Sequence, residues 1–89
     1  MAMDFDDLLV RFFGTAAIDT LEPEQLAKGV DLVRLQFGLE RDPESRFELW
    51  CLMYLLGVAP DADATFQDED DRAAAHDFMD EAEQAIGEG

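Results

Sequence analysis

The stretch of sequence that decides the fold is Phe47-Glu48-Leu49-Trp50-Cys51-Leu52-Met53-Tyr54-Leu55-Leu56-Gly57-Val58, which has no polar break between residues 49 and 56. A helix that is apolar on all sides is one that neighbouring elements cover. Asp42 and Pro43 precede this apolar run as a capping residue and a first-position proline. Gly57 and Pro60 follow the run as stop signals. The pattern predicts a central, buried helix over residues 43–56.

Three amphipathic helices are predicted around it, near residues 4–13, 22–37 and 68–86, because apolar residues recur there at helical spacing. Asp4 is the expected cap of the first helix, and Gly14 its end. In the second helix Gly38 is the expected left-handed stop. Residues 59–67 are expected to form an acidic connection, with Phe66 turned inward. The fold class is therefore all-α, as a small four-helix bundle in a single domain over residues 1–89, with residues 87–89 frayed.

The second helix carries more apolar surface than one contact requires. One stripe comprises Leu26, Val30, Val33 and Phe37, and a second stripe comprises Leu32, Leu35 and Leu39. We expect this helix to contact two neighbours, or one neighbour and a partner. A homodimer formed through such faces is left open.

Charge is the most unusual property of the chain. Its 22 acidic and 6 basic residues give a formal net charge of −16. This charge repels nucleic acid and anionic membranes and attracts basic protein surfaces. The chain contains no cluster of Lys or Arg that could neutralise phosphates, so direct binding to nucleic acid is not expected. Adaptation to a salt-loving host is an alternative cause of the acidity.

The acidic residues are densest from Asp68 to Glu83, where Arg72 is the only Lys or Arg. Acids are favoured in the first turn of a helix, but this run exceeds what capping needs. Its charge per length of helix matches that of one DNA strand, so nucleic-acid mimicry is physically reasonable. The predicted partner-binding residues are Asp68, Glu69, Asp70, Asp71, Asp77, Asp80 and Glu81.

Catalytic and metal-binding patterns are weak. Asp61, Asp63 and Thr65 resemble the first half of a calcium loop, but Phe66 and Arg72 stand where that loop needs Gly and Glu. His76 is the only histidine, with Arg72 and Asp80 one turn away on either side, and its expected role is a helical ion pair. A zinc site would need further Cys or His residues. No metal and no cofactor is therefore predicted, and the protein is predicted not to be an enzyme.

A single cysteine and a group of arginine and aromatic residues are further candidates for a functional role. Cys51, the only cysteine, lies in the apolar run, where burial raises a thiol pKa and makes it inert. Arg41, Arg46, Phe47 and Trp50 are of the types that anchor interfaces, although Trp50 is expected to belong to the core.

Size and acidity give the chain a superficial resemblance to acyl carrier proteins. That family carries phosphopantetheine on the serine of an Asp-Ser-Leu type motif. Here the context is Glu44-Ser45-Arg46, which departs from the motif on both sides of the serine. The resemblance would imply a carrier role, with Ser45 as the attachment point.

The sequence predicts a cytoplasmic protein. One cysteine allows no intrachain disulfide, the acidic opening lacks the positive region of a signal peptide, and the longest apolar run is shorter than the ~20 residues needed to span a bilayer. We expect a non-enzymatic acidic module that binds a basic surface of a nuclease or other nucleic-acid-handling protein. It would act as an inhibitor or regulator of the nucleic-acid-mimic or immunity type. The alternative is a small assembly protein that forms a homo-oligomer through apolar helix faces.

Overall fold

The computed structural model describes the backbone of residues 5–87 and the side chains of residues 5–84. Its elements in chain order are α1 (Phe5–Phe13), a 3-10 turn (Ile18–Thr20), α2 (Pro23–Leu39), α3 (Pro43–Leu55), α4 (Ala62–Thr65) and α5 (Glu69–Gly87). No β-strand occurs within residues 5–87. The predicted all-α class is confirmed. The expected cap Asp4 and the last two residues of the predicted frayed end lie outside the described residues.

Local signals set most helix ends. Gly14 and Gly57 have φ values of +79° and +80°, a region where glycine is favoured, and they follow α1 and α3 as predicted. After α3, the backbone N–H of Val58 donates to the carbonyl of Met53 at 2.9 Å, which closes the helix end. At the start of α3, Asp42 Oδ2 accepts a hydrogen bond from the backbone N–H of Ser45 at 3.0 Å.

The predicted stop at Gly38 is wrong. Gly38 has no positive φ, and α2 continues through Leu39. Asp42 precedes Pro43 and is extended, as a residue before a proline usually is, so α2 and α3 are separate helices. Glu40 is already extended, and its backbone N–H donates to the carbonyl of Gln36 at 2.8 Å.

The short helix α4 was not predicted, because it lies inside the expected acidic connection. Asp61 begins it: its Oδ2 accepts from the backbone N–H of Ala64 at 3.1 Å. One turn is too short to produce the apolar periodicity by which longer helices are recognised. Phe66 follows directly and is buried, as the sequence predicted.

The core centres on α3, whose residues Leu49–Met53 are all buried. The helix contacts α2 on one side and α5 on another, while α1 packs against α2. Trp50 is 1% exposed, lies edge-on to the Phe66 ring, and donates from Nε1 to the carbonyl of Pro60 at 3.0 Å. The indole therefore attaches the segment after α3 to the core and satisfies its own buried N–H group.

Candidate functional site

Helix α5 is held in place by its apolar side. Ala75 is fully buried, and Phe78, Met79 and Ala82 are partly buried. The Phe78 ring lies 6.0 Å from that of Phe5 on α1 and 6.1 Å from that of Tyr54 on α3, measured between centroids. These contacts fix the rotation of α5 about its axis and thereby determine which of its residues face solvent.

The solvent side of α5 forms a surface that we call the acidic face. At ~100° per residue its members lie within an arc of about 160° around the helix axis. The members are all exposed carboxylates: Glu69, Asp70, Asp77, Asp80, Glu81 and Glu83. Arg72, the only Lys or Arg in α5, is half-buried and lies beside the packing side. The acidic face therefore contains no arginine or lysine.

The structure separates the seven predicted partner-binding residues into two groups. Glu69, Asp70, Asp77, Asp80 and Glu81 lie together on the acidic face. Asp71 is half-buried, on the side of α5 that carries Ala75 and Phe78, and Asp68 precedes the helix. Glu83 belongs to the acidic face although it was not among the predicted residues; its exposed helical position was the available signal.

Asp68 and Asp71 line a polar cleft of about 320 Å³ together with Arg41 and Arg46. Two cationic side chains therefore line the same cleft as these two carboxylates. Asp68 and Asp71 therefore differ from the acidic face, which contains no arginine or lysine. Arg46 also lies over the Phe37 ring, with 4.6 Å between the guanidinium carbon and the ring centroid.

His76 is exposed on the solvent side of α5, and its predicted pairing within the helix is wrong. Its Nε2 lies 2.8 Å from Oδ1 of Asp63 on α4, rather than pairing with a side chain of its own helix. The reason is tertiary: α4 packs against α5 and brings Asp63 beside the ring. The hydrogen bond to Asp63, with smaller contributions from the charges of Asp63, Asp80 and Asp61, raises the pKa of His76 above its ordinary value.

The contact of Asp63 with His76 was not predicted from the sequence. The side chain of Asp63 is 66% exposed, and it adds a carboxylate from a second helix beside His76. The alternation of Asp61 and Asp63 suggested metal ligation, but Asp61 is occupied as the cap of α4. Among the described residues, no three His, Cys, Asp or Glu side chains are grouped so as to hold a metal ion.

The remaining reactive side chain is buried. Cys51 is 0% exposed, and burial, with a smaller effect from the charge of Glu48, raises the pKa of its thiol to about 12. The thiol is therefore protonated at neutral pH, as the apolar context predicted. The candidate interface anchor Trp50 is also buried, so it offers no exposed surface to a partner.

Within the described part of the chain, no helix has both the length and the hydropathy that a bilayer crossing requires. Comparisons with protein-family models, curated proteins and solved structures find no match to this chain.

Proposed function

We propose that this protein is a non-enzymatic binding module whose acidic face docks on a basic surface of a nuclease or another nucleic-acid-handling protein. It would inhibit or regulate that partner by occupying the surface that nucleic acid uses, as a nucleic-acid mimic or an immunity or anti-defence protein does. The proposal places the protein in the cytoplasm and gives it no direct contact with nucleic acid or membrane. The observation that carries it is the acidic face itself.

Charge spacing supports mimicry. The members of the acidic face extend from Glu69 to Glu83, about 21 Å along the helix axis at ~1.5 Å per residue. This gives one outward charge per about 4 Å, compared with one per ~3.4 Å in a DNA strand. Counting every acid of the segment would give a denser array, but Asp68 and Asp71 do not point the same way as the rest. A basic groove that fits a phosphate strand could therefore accept this helix.

Rigidity supports it further. The acidic face lies on a regular helix of 19 residues rather than on a loop, and Phe78 attaches that helix to two others. A preorganised charge array loses little conformational entropy on binding. We propose that the four long helices form a bundle about α3, so that α5 is presented on a stable scaffold.

A charge-matched pair of variants tests the proposal. The first variant, Asp77→Asn/Asp80→Asn/Glu81→Gln, removes three charges from the acidic face without changing side-chain size. The control, Asp19→Asn/Glu24→Gln/Asp31→Asn, removes three exposed charges from other elements and has the same net charge. Both variants should fold, and the first removes repulsion between Asp77 and Glu81, one turn apart.

The proteins that the wild-type protein captures from the native host are then compared with those that each variant captures. We expect a basic nucleic-acid-binding protein that the control variant retains and the acidic-face variant loses. At ~0.5–1 kcal/mol per exposed charge pair, three losses weaken binding about 10- to 100-fold. Duplex DNA should displace the partner, and affinity should fall as NaCl rises from about 50 to 300 mM. Binding that both variants retain, or that salt and DNA leave unchanged, would contradict the proposal.

The alternative function, a small assembly protein acting as a homo-oligomer, is favoured by a separate observation. Leu32, Leu35 and Leu39 are exposed on α2, at a distance in sequence from the acidic face. The two functions are compatible, because they use different helices.

A further inference from the structure

The second apolar stripe of α2 is uncovered. The exposed fractions of Leu32, Leu35 and Leu39 are 50%, 60% and 66%. Their spacing of three and four residues places them within about 60° on one side of the helix. We call these three residues the leucine stripe. The opposite side of α2, which includes the fully buried Val33, packs against the rest of the protein.

Charge distinguishes α2 from the rest of the chain. Helix α2 contains two acids, Glu24 and Asp31, and two bases, Lys28 and Arg34, so its formal charge is zero. The whole chain carries −16. Two copies of so acidic a protein repel each other over most orientations. When two copies approach through α2, the surfaces that meet belong to the one long helix without net charge. The exposed leucines of the two helices are then removed from water.

We propose that the leucine stripe is a self-association surface, which pairs with the same stripe of a second copy about a twofold axis. In an antiparallel pair of α2 helices centred between Leu35 and Gln36, Leu32 lies opposite Leu39 of the partner subunit, and both copies of Leu35 lie close to the axis. The stripe is thus complementary to itself, as a twofold contact requires.

The size of the surface determines the strength of the dimer. Helix α2 ends at Leu39, so in this register the two helices overlap over residues 32–39, a face about 12 Å long and about 10 Å wide. This is less than the ~800 Å² that each partner buries in a standard interface. We therefore expect a concentration-dependent dimer with a dissociation constant in the micromolar range or weaker, rather than an obligate one.

Salt dependence separates this surface from the acidic face. Added salt screens the repulsion between two highly charged copies, so pairing through the leucine stripe should become stronger with salt. Docking through the acidic face should become weaker. The two proposals can therefore fail independently, because their salt responses have opposite signs and their key residues lie on different helices.

The test is sedimentation velocity of the full chain from about 5 to 500 µM at about 50 and 500 mM NaCl. We expect the wild-type protein to shift from monomer towards dimer with concentration, and more so at high salt. Leu35→Glu should weaken association about tenfold or more, because it places two like charges near the axis. The control Leu55→Glu adds the same charge at an exposed leucine of α3 and should still dimerise.

A mixing experiment provides the specific signature. Leu35→Glu and Leu35→Lys should each be monomeric alone, and an equimolar mixture should associate, because opposite charges then meet at the axis. Far-UV circular dichroism verifies that both variants fold. If Leu35→Glu does not fold, Leu32→Glu with Leu39→Lys replaces the pair, because residue 32 of one copy lies opposite residue 39 of the other. A wild-type monomer under all conditions, or association that Leu35→Glu leaves intact or that salt weakens, would overturn the proposal.

Discussion

The two glycines within α2 allow one substitution to be tested in two environments of the same helix. Neither has a positive φ. Gly38 is exposed, and an added Cβ would have no other atom within 4 Å. Gly29 is buried, and an added Cβ would overlap Cδ1 and Cε1 of the Phe13 ring and lie 2.9 Å from its Cγ. Gly38→Ala and Gly29→Ala should therefore change stability in opposite directions.

The magnitudes follow from these distances. Alanine in place of glycine inside a helix stabilises it by about 0.5–1 kcal/mol, and this gain should appear in full at Gly38. At Gly29 the ring must move until its carbons reach ~3.5 Å. Rotation about χ2 cannot achieve this, since Cγ lies on the rotation axis. Phe13 must change rotamer or α1 must shift, at a packing cost of about 2–3 kcal/mol. Gly29→Ala should therefore destabilise the protein by about 1–2 kcal/mol.

The assay is urea unfolding monitored by Trp50 fluorescence and by far-UV circular dichroism, since Trp50 is 1% exposed and reports on the core. Because the backbone gain is common to both variants, the difference between their free energies of unfolding measures the packing cost, about 2–3 kcal/mol. With a slope of about 1–2 kcal/mol per molar urea, the two midpoints should differ by about 1 M or more.

A third variant isolates the contact. In a Phe13→Ala background the ring is absent, and Gly29→Ala should then stabilise the protein by about as much as Gly38→Ala does. If Gly29→Ala stabilises the wild-type protein as much as Gly38→Ala, the packing of Phe13 against Gly29 is refuted. The same holds if removal of the Phe13 ring leaves the effect of Gly29→Ala unchanged.

Three further predictions concern capping, protonation and thiol reactivity. Asp42→Ala should lower the free energy of unfolding by about 1 kcal/mol in urea, while Asp42→Asn keeps most of the cap and serves as the control. In an NMR titration, Asp63→Asn should lower the raised pKa of His76; an unchanged pKa would contradict the contact. The stabilisation linked to that raised pKa is present below the ordinary pKa of histidine and is lost as pH rises through the folded-state pKa. Cys51, with a pKa of about 12, should resist iodoacetamide at neutral pH until urea unfolds the chain; rapid labelling of the native protein would show that it is accessible.

Local chemistry explains why the long helices were predictable. The ranges near 4–13, 22–37, 43–56 and 68–86 agree within two residues with those of α1, α2, α3 and α5 wherever the structure describes them. Pro23 and Pro43 at helix starts, and Gly14 and Gly57 at helix ends, act through their own backbone geometry and need no distant partner. Gly38 misled the prediction because glycine permits a left-handed stop without requiring one.

The candidate site was only partly predictable. The density of acids from Asp68 to Glu83 is a property of the sequence, but their direction depends on how Ala75 and Phe78 dock α5. That docking places Asp71 beside Arg41 and Arg46 in a cleft and leaves Asp77, Asp80 and Glu81 in solvent. The pairing of His76 with Asp63 joins residues 13 apart, a separation no helix repeat brings together.

The sequence by itself determined the helical class, the long helices and the anionic character, because propensity, capping and net charge are local or additive. Tertiary structure alone decided which acids share a surface, which carboxylate contacts His76, and that Leu32, Leu35 and Leu39 stay uncovered. These features depend on the rotation of each helix about its axis, and that rotation is set by the packing of apolar side chains between elements that are distant in the chain.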